Sequence, residues 1–164
     1  LIKRHPHVFG NKKVNKSYQA KKNWEVIKHA EKKRLSRLDG VPKSLPALTR
    51  AQRLQQKASY AGFDWDNTED IWKKIHEEIN ELKSAQETGN IENFKEEIGD
   101  VLFSVVNLSR FFDIPAEDML RATNQKFTSR FQKIEKELKS KGKQLENSTL
   151  EEMDEIWEKS KEEK

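Results

Sequence analysis

The sequence predicts an all-α protein, a bundle of helices joined by short connections. Three observations carry that expectation. Beyond Pro46 the apolar residues recur at helical spacing almost to the end of the chain. No segment shows the apolar–polar alternation of a half-buried strand. Gly62, Gly89 and Gly142 fall where the periodic runs stop.

The elements follow in order. "LIKRHPHVFG" reads as a helix end running into a turn at Pro6 and Gly10, so the chain is expected to be part of a longer protein that begins inside an upstream domain. Residues 20–37, "AKKNWEVIKHAEKKRLSR", have helical composition but only a sparse stripe of Trp24, Ile27 and Leu35, as in a connector. "LDGVPKSLP" at 38–46 then breaks the pattern with Asp-Gly and two prolines. The boundary is placed there: 1–40 as the tail of an upstream domain with its linker helix, 41–164 as the domain proper.

In that domain Leu48, Ala51, Leu54, Gln55 and Ala58 share one face of a helix ending near Gly62. "GFDWDN" is a turn with two aromatics, and Asn67 or Thr68 can cap the next helix. Ile71, Ile75, Ile79 and Leu82 form its core stripe up to Gly89. A third helix begins near Ile91, with Phe94, Ile98, Val101, Leu102, Val105 and Leu108 along it, and ends around Phe112. Asp113 is expected to cap a long fourth helix, with Pro115 in its first turn and Met119, Phe127, Phe131, Ile134 and Leu138 facing inward. A short last helix opens at Ser148 or Thr149 with glutamates at capping-box spacing, anchored by Met153, Ile156 and Trp157.

Composition limits the function. Charged residues are 37% of the 164 and apolar residues 34%, enough for a helical core, especially one completed by a partner chain. There is no cysteine, which excludes disulfides and thiolate metal sites. No apolar run approaches a membrane span and no signal-peptide pattern opens the chain, so a soluble, cytoplasmic protein without a membrane partner is expected. The net charge of +4 conceals an asymmetry. Residues 1–57 hold 16 basic and 3 acidic side chains, a net of +13, and residues 58–164 hold 16 and 25, a net of −9. The basic half has little aromatic interleaving and no nucleic-acid fold motif, so it reads as a solvated linker helix rather than a nucleic-acid surface.

The chemistry is concentrated in two acidic runs. "HEEINEL" at 76–82 and "KEEIGDV" at 95–101 have the same layout nineteen positions apart. On a helical wheel Lys74, Glu77, Glu78 and Glu81 fall within an arc of roughly 100°, adjoining the core stripe instead of opposing it. Glu96, Glu97 and Asp100 repeat the arrangement. If the two helices pack antiparallel, these acids meet at the seam. Carboxylates converging there repel and raise one another's pKa, and a divalent cation relieves the conflict. All-oxygen ligands suit Mg²⁺, Mn²⁺ or Ca²⁺ rather than zinc. Mg²⁺ on carboxylates keeps waters that phosphate oxygens can replace, which points to a phosphorylated substrate. Gly99, inside the second run, costs roughly 1 kcal/mol against alanine and could admit a close neighbour. His76 adjoins the acids but faces outward on the wheel and is given no catalytic role.

"EEINE", followed after fifteen residues by "EIGD", resembles the EExxE…ExxD signature of MazG-type nucleoside triphosphate pyrophosphohydrolases. "LPALTRAQRLQQKASYAGFDW", "EEIGDVLFSVVNLSRF", "ATNQKFTSRFQKIE" and "LEEMDEIWEKSK" resemble the second MazG domain of the two-domain bacterial protein, and "RHPHVFG" and "NWEVIKHAEK" the end of its first domain and its linker. The resemblance covers essentially the whole chain. It implies an all-α bundle completed by helices of two subunits, hence a homodimer. It implies Mg²⁺-dependent hydrolysis of nucleoside triphosphates, ribo- or deoxyribo-, to the monophosphate and pyrophosphate, with Mn²⁺ as a possible substitute and a role in cleansing the nucleotide pool. By motif position Glu78, Glu81, Glu97 and Asp100 are the metal ligands. Lys74, Glu77 and Glu96 lie beside the nucleotide, with Glu77 or Glu96 accepting a proton from the attacking water. "KFTSR" supplies Lys126 and Arg130, at i and i+4 on one helix face, for the triphosphate. Trp157 covers or stacks on the nucleotide, and Asn124 helps to position these groups. One departure is visible: relatives are expected to carry a further lysine at the start of the second acidic helix, where this chain has Asn93 and Lys95. Two other readings are a catalytically silent dimerisation or partner-binding module, and nucleic-acid binding through residues 1–57.

Overall fold

A computed structural model describes residues 35–162, and these are helical without a strand among them, as expected. Most of the connector foreseen over 20–37 lies outside the described residues; its last three residues are bend and turn instead of helix. The helices are α1 (Ala47–Tyr60), α2 (Thr68–Thr88), α3 (Ile91–Phe111), α4 (Ala116–Ser140) and α5 (Leu150–Glu162), with one 3₁₀ turn at Leu145–Asn147. They divide into two compact units, the first ending at Ala116 and the second beginning at Glu117.

In the first unit, α1 starts directly after Pro46 and ends where Gly62 takes φ 97, a left-handed turn that lets the Phe63 N–H reach back to the Ala58 carbonyl at 3.1 Å. Asn67, not Thr68, caps α2: its side chain accepts from the Asp70 N–H at 3.0 Å. Asn90 does the same for α3 through the Asn93 N–H at 3.2 Å. Only Gly89 and Asn90 separate α2 from α3, so the two run back antiparallel and pack along each other, with α1 against α3. Ile71 and Ile75 are buried as the stripe of α2 required.

Two expectations fail in instructive ways. Asp113 does not cap α4. It sits at φ 56 and closes α3, with the Ile114 N–H bonded to the Ser109 carbonyl at 2.9 Å. The start of α4 is held instead by Gln52 of α1, whose amide oxygen accepts from the Ala116 N–H at 3.0 Å and whose amide nitrogen donates to the Ile114 carbonyl at 2.9 Å. The second failure concerns burial. Ile98, Leu102 and Val105 of α3, and Met119 and Phe127 of α4, are exposed; α3 buries Ser104 and Val106 instead.

In the second unit Ile134, Leu138 and Ile156 form the core, with Phe131, Leu145, Met153 and Trp157 packed against it. Thr149 caps α5 in a reciprocal box: the Glu152 N–H donates to Thr149 Oγ1 at 3.3 Å, and the Thr149 N–H donates to Glu152 Oε2 at 3.1 Å. The Lys143 ammonium also donates to Glu152, and this bond, with the Thr149 N–H, holds the Glu152 carboxyl below its usual range.

Candidate active site

The α2–α3 hairpin brings the two acidic runs together. Glu78, Glu81 and Glu97 each place a carboxylate oxygen within 4.8 Å of the others. Their exposure is graded: Glu78 is buried at the helix seam, Glu97 is half-buried and Glu81 faces solvent. A buried carboxylate needs a partner, and Lys74, one turn earlier on α2, supplies it at 2.8 Å. The same ammonium donates to Glu77 at 2.7 Å. Those two bonds, Glu77 first, hold the Lys74 pKa well above the ordinary lysine value. Glu81 shows the repulsion foreseen from sequence: partial desolvation pushes its pKa up, reinforced by the charges of Glu78 and then Glu97. The three offer only oxygen donors, with no histidine or cysteine among them, which fits a hard divalent cation.

The other acids of the runs stand around this set. Asp100 is exposed, one turn beyond Glu97, and shares the lining of an adjacent cavity with Glu78 and Lys74. Glu77 and Glu96 are exposed at the margin. His76 is exposed, its Nδ1 2.7 Å from the Trp72 carbonyl oxygen, in keeping with its outward place on the wheel. Lys95 pairs with Glu92 at 2.8 Å, away from the acid cluster's own lysine contact. A Cβ on Gly99 would meet nothing within 4 Å, so no described part of the chain exploits the missing side chain.

The cavity, about 580 Å³, was not foreseen. It lies among α1, α2, α3 and the aromatic turn at 63–65. An ion pair fixes that turn: Arg110 of α3, its side chain only 9% exposed, grips Asp64 through two nitrogens at 2.5 and 3.2 Å. Arg110 Nε also donates to Asn107 Oδ1 at 2.8 Å. The partners of this clamp are 46 residues apart, and sequence reading gave no sign that they pair.

In the second unit, the Arg130 guanidinium lies 5.5 Å from the centre of the Trp157 ring, within cation–π range. Trp157 also meets Phe127 at 5.4 Å between ring centres. Trp157 is thus both packed on the core of its unit and covered by a cation. Asn124 and Lys126 are exposed on α4.

Residues 66–134, which hold both acidic runs and the "KFTSR" segment, match the model of the MazG nucleotide pyrophosphohydrolase domain. Over that stretch the chain is similar to a MazG domain. It is also 46% identical over 163 residues to the nucleoside triphosphate pyrophosphohydrolase/pyrophosphatase MazG of Thermotoga maritima, covering 98% of this chain and 61% of that protein. It is 38% identical over 166 residues to a nucleoside triphosphate pyrophosphohydrolase of Escherichia coli K12, covering 98% and 63%. The uncharacterized protein YabN of Bacillus subtilis is 46% identical over 165 residues, 99% of this chain and 34% of that protein. The chain therefore spans about three fifths of the two pyrophosphohydrolase relatives and a third of YabN. The fold agrees with the expectation, all-α throughout the described residues, and no helix there is long and apolar enough to cross a membrane.

Proposed function

We propose that the chain hydrolyses nucleoside triphosphates to the monophosphate and pyrophosphate with Mg²⁺, or Mn²⁺ in its place. The single observation that carries this reading is the convergence of Glu78, Glu81 and Glu97, from the two acidic runs of the stretch similar to a MazG domain, within 4.8 Å. Those three hold the cation, and Asp100 serves as a fourth ligand. The cation when bound supplies positive charge to the phosphate oxygens and acidity to water. Lys74 holds Glu78 and Glu77 in place. Glu77 or Glu96 takes a proton from the attacking water. The water oxygen forms a bond to phosphorus as the bond to the departing pyrophosphate breaks, and Lys126 and Arg130 offset the charge on that group. Trp157 covers the nucleotide, with Asn124 beside it. Residues 41–164 form the working domain.

We also propose a homodimer. Ile98, Leu102 and Val105 recur at i, i+4 and i+7 on α3 and are 41–54% exposed, an apolar face that a second copy of the chain would cover. The same face supports a second reading, a silent dimerisation module. One assay separates them: pyrophosphate release from a panel of nucleoside triphosphates, with Mg²⁺ and with chelator, for this chain and Glu97→Gln. The enzyme reading expects metal-dependent release, cut at least about a hundredfold by the substitution. No release from a folded dimer would leave the silent module.

A further inference from the structure

The passage from α3 to α4, residues 112–115, is tied down along its length. The Phe112 and Asp113 N–H groups close α3 on the Leu108 and Arg110 carbonyls, at 3.3 and 2.9 Å. Asp113 takes φ 56, and the Ile114 N–H turns back to the Ser109 carbonyl at 2.9 Å. Pro115 has a fixed φ and no N–H, and it restricts Ile114 before it. The Ile114 carbonyl accepts from two side chains, Ser109 Oγ at 2.9 Å and Gln52 Nε2 at 2.9 Å.

Gln52 reaches this passage from α1, 62 residues before Ile114 and 64 before Ala116. Its amide is used at both ends, since Gln52 Oε1 accepts from the Ala116 N–H at 3.0 Å. A carbonyl on one side and an N–H on the other fix which end is which. A helix start leaves its first N–H groups without partners in the helix, and α4 has one of them satisfied by another helix. The contact therefore restrains the last residue before Pro115 and the first residue of α4 together. α4 leads out of the unit that holds the acid cluster and carries Asn124, Lys126 and Arg130. At a rise of 1.5 Å per residue, Lys126 and Arg130 lie about 15 Å and about 21 Å beyond Ala116 along the helix. A swing of about 10° at Ala116 moves both by roughly 3 Å, as much as the whole length of a charged hydrogen bond.

We propose that Gln52 is a positioning residue: by gripping Ile114 and Ala116 it sets the direction in which α4 leaves the acid-bearing unit, and so sets Lys126 and Arg130 for the triphosphate. The proposal rests on the nucleotide reading above. Gln52 touches no phosphate and no acid of the cluster. It acts through the helix it holds, and small errors in placing charged groups are costly to turnover. The acid cluster lies within the α2–α3 hairpin, so its hold on a cation does not depend on Gln52.

The test measures geometry and turnover on wild type, Gln52→Met and Gln52→Ala. The methionine keeps the bulk without the hydrogen bonds, and the alanine, the better helix former, serves if the methionine variant does not fold. The chain has no cysteine, so spin labels go on Lys83→Cys of α2 and Gln132→Cys of α4, both exposed, diluted with unlabelled chain. Pulsed electron resonance should give one narrow distance with Gln52 present, and a distance broadened or shifted by several ångströms without it. The kcat for pyrophosphate release should fall at least tenfold, while the rise in melting temperature with Mg²⁺ is unchanged. Removing both cations, by Lys126→Ala with Arg130→Ala, should lower kcat at least tenfold less in the Gln52→Met background than in wild type, because misplaced charges have less left to lose. A merely structural role predicts equal factors in the two backgrounds. Equal label distances with and without Gln52 would overturn the proposal, as would an unchanged kcat in both variants. Changed distances with no pyrophosphate release even from wild type would keep Gln52 as the residue that directs α4 and sink the enzymatic reading instead.

Discussion

"HEEINEL" in α2 and "KEEIGDV" in α3 are nearly the same text in different surroundings. Glu78 and Glu97 occupy the same register, yet Glu78 is 7% exposed and salt-bridged to Lys74, while Glu97 is only half-buried. Ile79 and Ile98 also correspond; Ile79 is half-buried and Ile98 is 41% exposed. The helix of the first run buries Ile71 and Ile75 in its own unit. The helix of the second shows Ile98, Leu102 and Val105 to solvent. One run is therefore a finished part of the fold, and the other has a face left over. A local pattern fixes which residues share a helix side, but the neighbours decide what that side does.

The sharpest way to break the contrast is to charge the leftover face. Ile98→Asp with Leu102→Asp should convert the proposed dimer to monomer with the helices retained. Each apolar side chain contributes about 1.5–3 kcal/mol when buried, and twofold symmetry counts each twice, so the dissociation constant should rise more than about a thousandfold. Sedimentation velocity with circular dichroism checks this; an unchanged sedimentation coefficient removes the dimer from the proposal.

A second change sharpens the meeting of the two runs. Glu81→Gln should raise the melting temperature in chelator near neutral pH while abolishing stabilisation by Mg²⁺. The Glu81 pKa is raised in the fold by desolvation and then by Glu78 and Glu97. The folded state thus binds the proton more tightly than the unfolded chain does. Stability from this group is present at acid pH and declines as pH rises through the raised value, where the ionised form carries the penalty. The gain in Glu81→Gln should therefore fade below about pH 4, where the wild-type carboxyl is protonated in both states. Thermal melts across pH test it, and a lower melting temperature in Glu81→Gln at neutral pH counts against the repulsion.

The smallest effect tests the position where the runs differ most in size, Asn80 against Gly99. Gly99→Ala should stabilise by about 1 kcal/mol, since a mid-helix glycine costs that much and a Cβ there meets nothing within 4 Å. Denaturant unfolding reads the change. If instead the variant stays folded but loses dimerisation, the partner chain is what approaches Gly99.

Much of this was legible beforehand because helices write their periodicity locally. The stripe of α2, its ending at Gly89 and the box of Thr149 with Glu152 each depend on residues within a turn or two, and each was foreseen. The register of the acid runs was legible for the same reason. Asp113 misled because Asp is a favoured cap, yet it also tolerates φ above zero, and the end of α3 needed that conformation. The stripe of α3 misled because an apolar face does not say which chain covers it.

The sequence by itself determined the helices, the pairing of two acidic runs across a two-residue connection, and the carboxylate-only character of the cluster they form. Tertiary structure alone decided the rest. It buried Glu78 and not Glu97, and it joined Arg110 to Asp64 across 46 residues. It also turned Gln55, which the sequence offers only as one more residue on a helix face, so that its amide nitrogen donates to the Phe103 carbonyl, 48 residues away. The physical reason is range: helix propensity and capping act within a few residues, whereas burial and orientation depend on which distant side chains arrive.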